Sequence, residues 1–435
     1  MAFQDSDSKY LKEIDRLNRE IPDIPLEAVI KQDVLRLGVR FSKDSLCVAS
    51  GYKPKDYFIF SFDLATLEDL KQEGEHLLRA PEEVRFFGGD LDLKPSIFSV
   101  RLNPESPYLV ELVSGNLVLS CDGTVLAEVD FHPVPDFYNS TLKSGKTISQ
   151  IAPVLEWGYL VYLTVFRLCQ YWGRDEECQF CDINENYRQQ RKAGREYTGV
   201  KQMDDILEAL GHIHEKDSVS KAVTITGGSV TSQLTGKNEV DFYLQYARAI
   251  KEKFKDRWIV KTVVEAFKQD DCRRLKEEGG VDIYHPNYEI WDERLFKVLC
   301  PGKQRYVGWE EWMKRIVDSA EVFGPQNVIP NFVAGVELAQ PDGYKNIDAA
   351  VESTRQGLDY FMSRSILPRF TTWCLEPLAH LGRQSAPPLE YYVKLLKAWR
   401  DTMEKYQLPS PPGYGEPGLG KAVFSVSAFM DVIRQ

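Results

Sequence analysis

Three cysteines in one short segment are the residues of this sequence best suited to chemistry. Cys169, Cys178 and Cys181 are separated by eight and then two residues, in the stretch Cys-Gln-Tyr-Trp-Gly-Arg-Asp-Glu-Glu-Cys-Gln-Phe-Cys. Thiolates are strong ligands for zinc and for iron–sulfur clusters. Three of them on one loop can hold three irons of a four-iron cluster and leave the fourth iron open. The spacing therefore predicts a metal or cluster site.

Zinc is the main alternative to an iron–sulfur cluster, because Cys178 and Cys181 also have the spacing of zinc ligands. A structural zinc site usually takes four ligands as two close pairs, and the sequence has no second Cys-x-x-Cys pair. The downstream His212 and His214 lie on a predicted helix and point to different faces. We favour the iron–sulfur site, and a zinc-stabilised, non-catalytic binding protein stays open as the alternative.

The elements that would position the cysteine loop are strands alternating with amphipathic helices, the pattern of parallel βα units. The predicted strands are 157–168, 220–226, 258–264, 281–285, 327–335 and 365–371, and the predicted helices are 202–215, 238–254, 267–278, 309–322 and 347–361. This pattern predicts an α/β fold with a partial (β/α)6 TIM-like barrel. Chemistry in such barrels lies at the carboxyl ends of the strands, and the cysteine loop follows the first strand.

The regions on either side of the barrel are predicted to be smaller units. Residues 1–145 are interpreted as an N-terminal α+β accessory domain, with a hairpin over 116–131 that turns at Asp122-Gly123. Residues 146–385 form the barrel, and residues 386–435 form a C-terminal helix and tail. The tail segment 413–418 has the spacing Gly-x-Gly-x-x-Gly, but no strand precedes it. We therefore expect a flexible loop or lid there instead of a dinucleotide site.

Composition and charge exclude several classes of partner. The net charge of -11 argues against a nucleic-acid backbone, and no apolar run approaches the roughly 20 residues that span a bilayer. The N-terminus lacks the features of a secretory signal, so we expect a cytoplasmic protein.

The short basic segment 188–195 is expected to be a solvated loop. The remaining cysteines are expected to be reduced core residues: Cys47, Cys121, Cys272, Cys300 and Cys374.

The cysteine loop and its surroundings resemble the radical S-adenosylmethionine enzymes, and the barrel motifs are similar to the biotin synthase-like branch of that family. The matching features are a three-cysteine loop after the first barrel strand and the aromatic Phe180 before the last cysteine. The family usually has three residues and then two between its cysteines, so the eight-residue interval here is atypical. The resemblance covers about residues 155–375. It implies a [4Fe–4S] cluster on the three cysteines, with S-adenosyl-L-methionine on the fourth iron.

The resemblance also implies which residues contact the cofactors. Gly-Gly-Ser at 227–229 ends the second strand where the family usually has Gly-Gly-Glu, and Asn331–Glu337 resembles the adenine-binding strand. Glu265 is equally compatible with a solvated carboxylate at a strand end, whereas a core or supporting position is favoured for His285. The implied cofactor-binding residues are Phe180, Gly227, Gly228, Ser229, Glu265, Asn287, Glu289, Val333, Gly335 and Glu337.

The activity that the resemblance implies is reductive cleavage of S-adenosylmethionine to a 5′-deoxyadenosyl radical, which abstracts hydrogen from a substrate. The expected partners are a low-potential donor, ferredoxin or flavodoxin, and a small-molecule or peptide substrate that the sequence does not identify. A radical methylthio- or sulfur-transferase is a further alternative. Such enzymes usually carry a second cluster, and the remaining cysteines are scattered along the chain.

Overall fold

The computed structural model describes residues 7–48, 51–55, 60–195, 199–421 and 428–434. Within these ranges the strands form two sheets, one of six strands and one of seven. No helix in these ranges combines the length and the apolar character needed to cross a membrane.

The N-terminal region builds the six-stranded sheet. Its elements are α1 (Lys9–Glu20), α2 (Leu26–Leu37), β1 (Arg40–Phe41), α3 (Lys43–Val48), α4 (Leu67–Glu73), β2 (Glu83–Gly88), β3 (Leu93–Ser99), β4 (Tyr108–Val113), β5 (Asn116–Cys121), β6 (Thr124–Phe131) and α5 (Ile148–Ile151). The strand order is β1-β4-β5-β6-β2-β3. β5 and β6 form the predicted hairpin, and Asp122 and Gly123 take the positive φ angles of 47° and 81° that a tight hairpin turn requires.

The second sheet is built from the remaining elements. These are β7 (Val154–Leu155), β8 (Leu160–Phe166), α6 (Ile183–Lys192), α7 (Met203–Lys216), β9 (Ala222–Gly227), α8 (Glu239–Phe254), β10 (Ile259–Val264), α9 (Gln269–Glu277), β11 (Ile283–Glu289), α10 (Glu293–Leu299), α11 (Pro301–Tyr306), α12 (Trp309–Phe323), β12 (Asn331–Ala334), α13 (Ile347–Met362), β13 (Arg369–Thr372) and α14 (Leu389–Lys405). Its strands follow chain order from β7 to β13.

The seven-stranded sheet is a curled half-barrel. β8 to β13 pair in parallel with their neighbours, and the short β7 pairs antiparallel with β8 at the edge. The edge strands β7 and β13 are not paired with each other within the described ranges. The α/β prediction is therefore confirmed, in the form of an open sheet and not a closed barrel.

The segment after the cysteine loop differs from its prediction. The basic stretch 188–195 was expected to be a solvated loop, and its first part belongs to α6. Ile183, Asn186 and Gln190 bury one side of this helix, while the arginines lie on the other side. The polar side chains on the buried side concealed the helical period from a search for apolar residues. The helices α10 and α11 were also not predicted.

The cysteines outside the loop are all free thiols. Cys121, Cys272, Cys300 and Cys374 are buried, as expected. Cys47 is exposed, so the expectation of a core position was wrong for this residue. It lies on α3, a short helix at the surface of the six-stranded sheet, where few side chains cover it.

One buried arginine joins the two sheets. Arg101 follows β3 and is only 1% exposed. Its guanidinium donates to the carbonyl oxygen of Leu35 at the end of α2 and to that of Thr372 at the end of β13, both at 2.7 Å. A second link is the buried ion pair between Lys31 and Asp431, with Nζ and Oδ2 2.9 Å apart. The N-terminal region is therefore fixed directly to the last barrel strand.

We expect Arg101→Leu to lower the free energy of unfolding by about 3 kcal/mol, because two buried carbonyls lose a charged donor. Urea unfolding followed by circular dichroism measures this change. The control is Arg355→Leu, which removes an exposed arginine paired with Glu352 on the same helix. Its expected change is within about 0.5 kcal/mol. If the Arg101 variant were as stable as this control, the stability of the protein would not depend on the link between the two sheets.

Candidate functional site

A cavity of about 240 Å³ lies inside the half-barrel and is lined by every one of its parallel strands. Residues of the N-terminal region, including Phe60 and Phe62, line its open side. Of the residues predicted from the sequence, those that line the cavity are Cys169, Cys178, Phe180, Cys181, Gly227, Gly228, Ser229, Glu265, Asn287, Glu289 and Val333. The structure thus brings the cysteine loop and the ends of four further strands to one space.

Backbone hydrogen bonds hold the cysteine loop against the neighbouring strand end. The amide of Gln170 donates to the carbonyl of Ser229 at 2.9 Å, and the amide of Cys169 donates to Oδ1 of Asn184 at 2.9 Å. At the far end of the loop, the amide of Cys181 donates to the carbonyl of Cys178 at 3.0 Å. These contacts fix both ends of the loop, although the interval between the first two cysteines is long.

The last residues of the insertion are held by hydrogen bonds, while Trp172, Arg174 and Asp175 are exposed. The amides of Glu176 and Glu177 turn back to the carbonyl of Gly173. The Glu177 carboxylate accepts from Asn184 on α6 and contacts His380 after β13, each at 2.9 Å. The eight-residue interval is therefore a built part of the site.

The three thiols are partly buried, and their charges influence one another. Burial, and after it the charge of Cys178, raise the pKa of Cys169 to about 12. The same two causes raise the pKa of Cys181 well above its ordinary value. Several thiolates at this position therefore need a compensating cation, and a coordinated metal supplies one.

The side chains around the cysteines do not form a site for a single metal ion in the described part of the chain. Among the residues that the structure describes, no three His, Cys, Asp or Glu side chains converge on one point that could hold such an ion. A four-iron cluster presents a separate iron to each thiolate, so its cysteines need not converge on one point. The arrangement is compatible with a cluster of this kind.

Gly228 is required by the close approach of two backbone segments. A Cβ at this position would stand 2.0 Å from the carbonyl oxygen of Leu168 and 2.6 Å from Cα of Cys169. The Gly228 carbonyl accepts a hydrogen bond from the hydroxyl of Tyr243 at 2.7 Å. The second strand end therefore supports the cysteine loop directly, and only glycine permits that distance.

Unpartnered acceptor atoms lie on the wall beside the cysteines. Oε1 of Glu265 and Oδ1 of Asn287 are buried and have no hydrogen-bond partner within the described ranges. Glu239, which the sequence did not indicate, stands beside Glu265. Burial, and after it the Glu265 charge, raise the pKa of Glu239 well above its ordinary value. A buried acceptor without a donor is costly, so this wall is suited to a ligand that brings donor groups or positive charge.

Glu289 takes part in a buried ion pair that the sequence did not reveal. Its Oε1 lies 2.6 Å from Nζ of Lys303 on α11, and both side chains are buried. Burial is the largest single influence on Lys303 and opposes its charged form, but Glu289 and the other acidic groups nearby together raise its pKa. The pair lines the cavity near Cys178.

Gly335 and Glu337, expected to contact a cofactor, lie away from the cavity lining. The Glu337 carboxylate accepts from the Gly335 amide at 2.8 Å and from the Thr354 hydroxyl at 2.9 Å. A Cβ on Gly335 would stand 2.5 Å from the hydroxyl oxygen of Tyr392. These residues form the turn after β12, while Val333 within the strand faces the cavity.

The segment 413–418, expected to be a flexible loop or lid, packs through its first two residues at the opposite end of the half-barrel. A Cβ on Gly413 would stand 2.8 Å from the side chain of Ile283, the first residue of β11. Tyr414 is fully buried there. This part of the tail, the floor segment, contacts Lys261 of the cavity lining through the Gly413 carbonyl and the Tyr414 ring. His285 lines the cavity above it and meets the Tyr414 ring edge-on.

The comparisons with known proteins give little further information. No protein-family model and no curated protein matches the chain. Among solved structures, a radical SAM methyltransferase from Sphaerobacter thermophilus is similar at 12% identity and a TM-score of 0.37, over 93% of this chain and 92% of that one. A putative vitamin-B12-independent methionine synthase from Listeria monocytogenes is similar at 8% identity and a TM-score of 0.26, over 46% and 54%. Similarity at these TM-scores supports no conclusion on function.

We expect Gly228→Ala to lower the free energy of unfolding by about 2 kcal/mol, because the added methyl group meets backbone atoms of Leu168 and Cys169 that cannot move alone. Urea unfolding measures the change. Gly211→Ala is the matched control, since nothing lies within 4 Å of its Cβ position. Alanine has a higher helix propensity than glycine, so this change within α7 should raise the free energy of unfolding by up to about 1 kcal/mol. Equal stability of the two variants would contradict the close contact.

Proposed function

We propose that the protein is a radical S-adenosylmethionine enzyme that binds one [4Fe–4S] cluster through Cys169, Cys178 and Cys181. One observation carries the proposal. The three cysteines of a single loop line the same cavity as a glycine-rich strand end and two buried acceptors that have no donor within the described ranges. A cluster with an amine-bearing ligand would use all of these features.

The residues that would hold S-adenosylmethionine lie on the wall next to the cysteines. Oε1 of Glu265 and Oδ1 of Asn287 would accept hydrogen bonds from the amine and the ribose hydroxyls of the cofactor. The protonated Glu239 carboxyl would hold Glu265 in place. Val333 would pack against the adenine, and the glycine pair would let the ligand approach the backbone closely.

When bound, the cluster and S-adenosylmethionine supply a 5′-deoxyadenosyl radical, given one electron from a low-potential ferredoxin or flavodoxin. The chain itself would orient the substrate and exclude water. Two backbone contacts hold residues 61 and 62 against the half-barrel, where they would help to exclude water. The amide of Phe62 donates to Glu376 at 2.8 Å, and the amide of Ser61 donates to Asp182, which follows the last cysteine, at 3.3 Å.

We expect replacement of Cys169, Cys178 or Cys181 by Ala to abolish formation of 5′-deoxyadenosine, because each thiolate would bind one iron of the cluster. The assay uses anaerobically reconstituted protein, dithionite and S-adenosylmethionine, with chromatography of the products. The matched control is Cys272→Ala, which removes a buried thiol that does not line the cavity and should leave the yield unchanged.

Two outcomes would contradict this function. Full deoxyadenosine formation by the Cys169 variant would show that the eight-residue interval had been misread. Stoichiometric zinc without iron in the purified protein, and no absorption near 400 nm after reconstitution, would favour the zinc-stabilised binding protein.

We expect Glu265→Gln to weaken S-adenosylmethionine binding by about tenfold, because a charged acceptor for the cofactor amine becomes neutral. Equilibrium binding to the reconstituted protein measures the dissociation constant, and the iron content shows whether the cluster is retained. Glu352→Gln, which changes an exposed carboxylate, is the control and should bind like the wild type. An unchanged dissociation constant for the Glu265 variant would exclude a contact with the cofactor.

A further inference from the structure

The cavity continues from the cysteine loop toward the amino ends of the strands. Lys261 precedes Glu265 by four residues along β10, which places the two about 13 Å apart in the strand direction. The polar side chains at this deep end are Tyr162, Thr224, Lys261, His285, Asn331 and Arg369. Barrel interiors are normally filled by packed aliphatic residues, so a polar set of this kind requires an explanation.

Among the described residues, Lys261 is a buried cation without a carboxylate in contact. It is 2% exposed, and its Nζ donates to the carbonyl of Gly413 at 3.0 Å. The same atom lies 4.1 Å from the centre of the Tyr414 ring. Within the described ranges it forms no ion pair at 4.0 Å or less. Burial, only partly offset by the charge of Glu156, lowers the pKa of Lys261 to about 8. A desolvated ammonium of this kind gains from an added anion.

Arg369 brings a second positive charge to the same end of the cavity. Its guanidinium hydrogen-bonds the hydroxyl of Tyr414 and lies 6.0 Å from that ring centre. Burial and, after it, the Arg369 charge lower the pKa of His285 well below its ordinary value. The Arg369 charge also lowers the pKa of Lys261. The two cations repel each other across a small space, and an oxyanion between them would relieve that repulsion.

Glu156 faces the two cations from a strained turn. Glu156 and Trp157 both take left-handed backbone angles, with φ of 53° and 54°. The Glu83 carboxylate holds this turn by accepting from their amides at 2.8 and 2.9 Å. Oε2 of Glu156 is buried, and no donor for it exists in the part of the chain that the structure describes. Strain that is held in place beside an unpartnered acceptor is typical of a binding site.

We propose that the deep end of the cavity binds the substrate through an oxyanion, a carboxylate or a phosphate, held between Lys261 and Arg369. Glu156 accepts a hydrogen bond from a donor group next to that oxyanion. A substrate anchored in this way extends toward the cysteine end, where the proposed cofactors bind. Its role as substrate site rests on the proposed function, but the anion site itself does not require the cluster.

The test measures anion binding to the full chain without iron or S-adenosylmethionine. Acetate binding is followed by saturation-transfer NMR on its methyl signal at constant ionic strength, and sulfate binding by displacement of acetate. Wild-type protein binds at least one of the two in the millimolar range. Lys261→Met and Arg369→Met each weaken this binding by about tenfold or more. The matched control, Lys201→Met, removes a buried ammonium that donates to the carbonyl of Ile151 at 2.5 Å outside the cavity lining, and it leaves binding unchanged.

The pH profile separates an anion site from a purely structural role of Lys261. Its ammonium is charged below about pH 8, so anion binding is present below that pH and is lost above it. The charged and titratable groups that face it are Glu156, Tyr162, His285, Arg369 and Tyr414. Burial raises the pKa of Glu156 to about 7, and its ionisation weakens anion binding in the same direction. Lys261→Arg keeps its charge, and it retains binding above pH 8.

The outcomes distinguish the possible ligands. Preference for acetate identifies a carboxylate substrate, and preference for sulfate identifies a phosphate-like group. Binding of neither anion, or equal binding by wild type and both methionine variants, overturns the proposal. If the methionine variants do not fold, the pH profiles of wild type and Lys261→Arg decide, and identical profiles overturn it. Anion binding without deoxyadenosine formation supports this site and contradicts the radical function, while the reverse result contradicts this site alone.

Discussion

The contact between the cysteine loop and the end of β9 determines where everything else in the site can lie. A backbone carbonyl of Leu168 and the Cα of Cys169 come so close to Gly228 that no side chain fits between them. The contact fixes the first cysteine relative to the second strand. The hydrogen bond from Gln170 to Ser229 continues the same junction by one more residue. The acceptors on β10 and β11 then lie beside the thiols because parallel strands end at the same edge of the sheet.

The electrostatic character of the cavity changes from one end to the other. In the part of the chain that the structure describes, the cysteine end has one oxygen of Glu265 and one of Asn287 without donors, and a close ion pair between Glu289 and Lys303. The deep end has two cations, Lys261 and Arg369, and both interact with the carboxyl group of Glu156. A ligand with its amine at one end and a second ligand with its anion at the other would each meet complementary charge. This polarity gives the cavity a direction, with the proposed cofactor site at the cysteine end and the proposed anion site at the deep end.

The sequence predicted the barrel elements well because their buried faces repeat with the period of a helix or a strand. The predicted C-terminal helix was found as α14, and α12 and α13 were predicted to within one residue at each end. The loop cysteines and the glycine pair were identified because each belongs to a short motif, and such motifs are recognised from residue types and spacing alone. Gly335 and Glu337 were placed at the site by motif alone, whereas β12 ends at Ala334 and the chain turns away at Gly335. The deep end was missed since a lysine within Ile259–Val264 gives no sign of which face of a strand is inward until the register is known.

The tail, through the floor segment, supplies the contacts of Lys261 at the deep end of the cavity. Tyr414 and the Gly413 carbonyl meet Lys261 from a loop that follows α14, and Phe429 packs behind that tyrosine. Loops tolerate insertion and substitution far better than sheet strands do. Descendants of this chain could therefore accommodate longer or shorter molecules through changes in the tail alone. The cysteine loop and its contact with β9 would stay unaltered while the range of bound compounds changed. Reactivity and selectivity could then evolve separately.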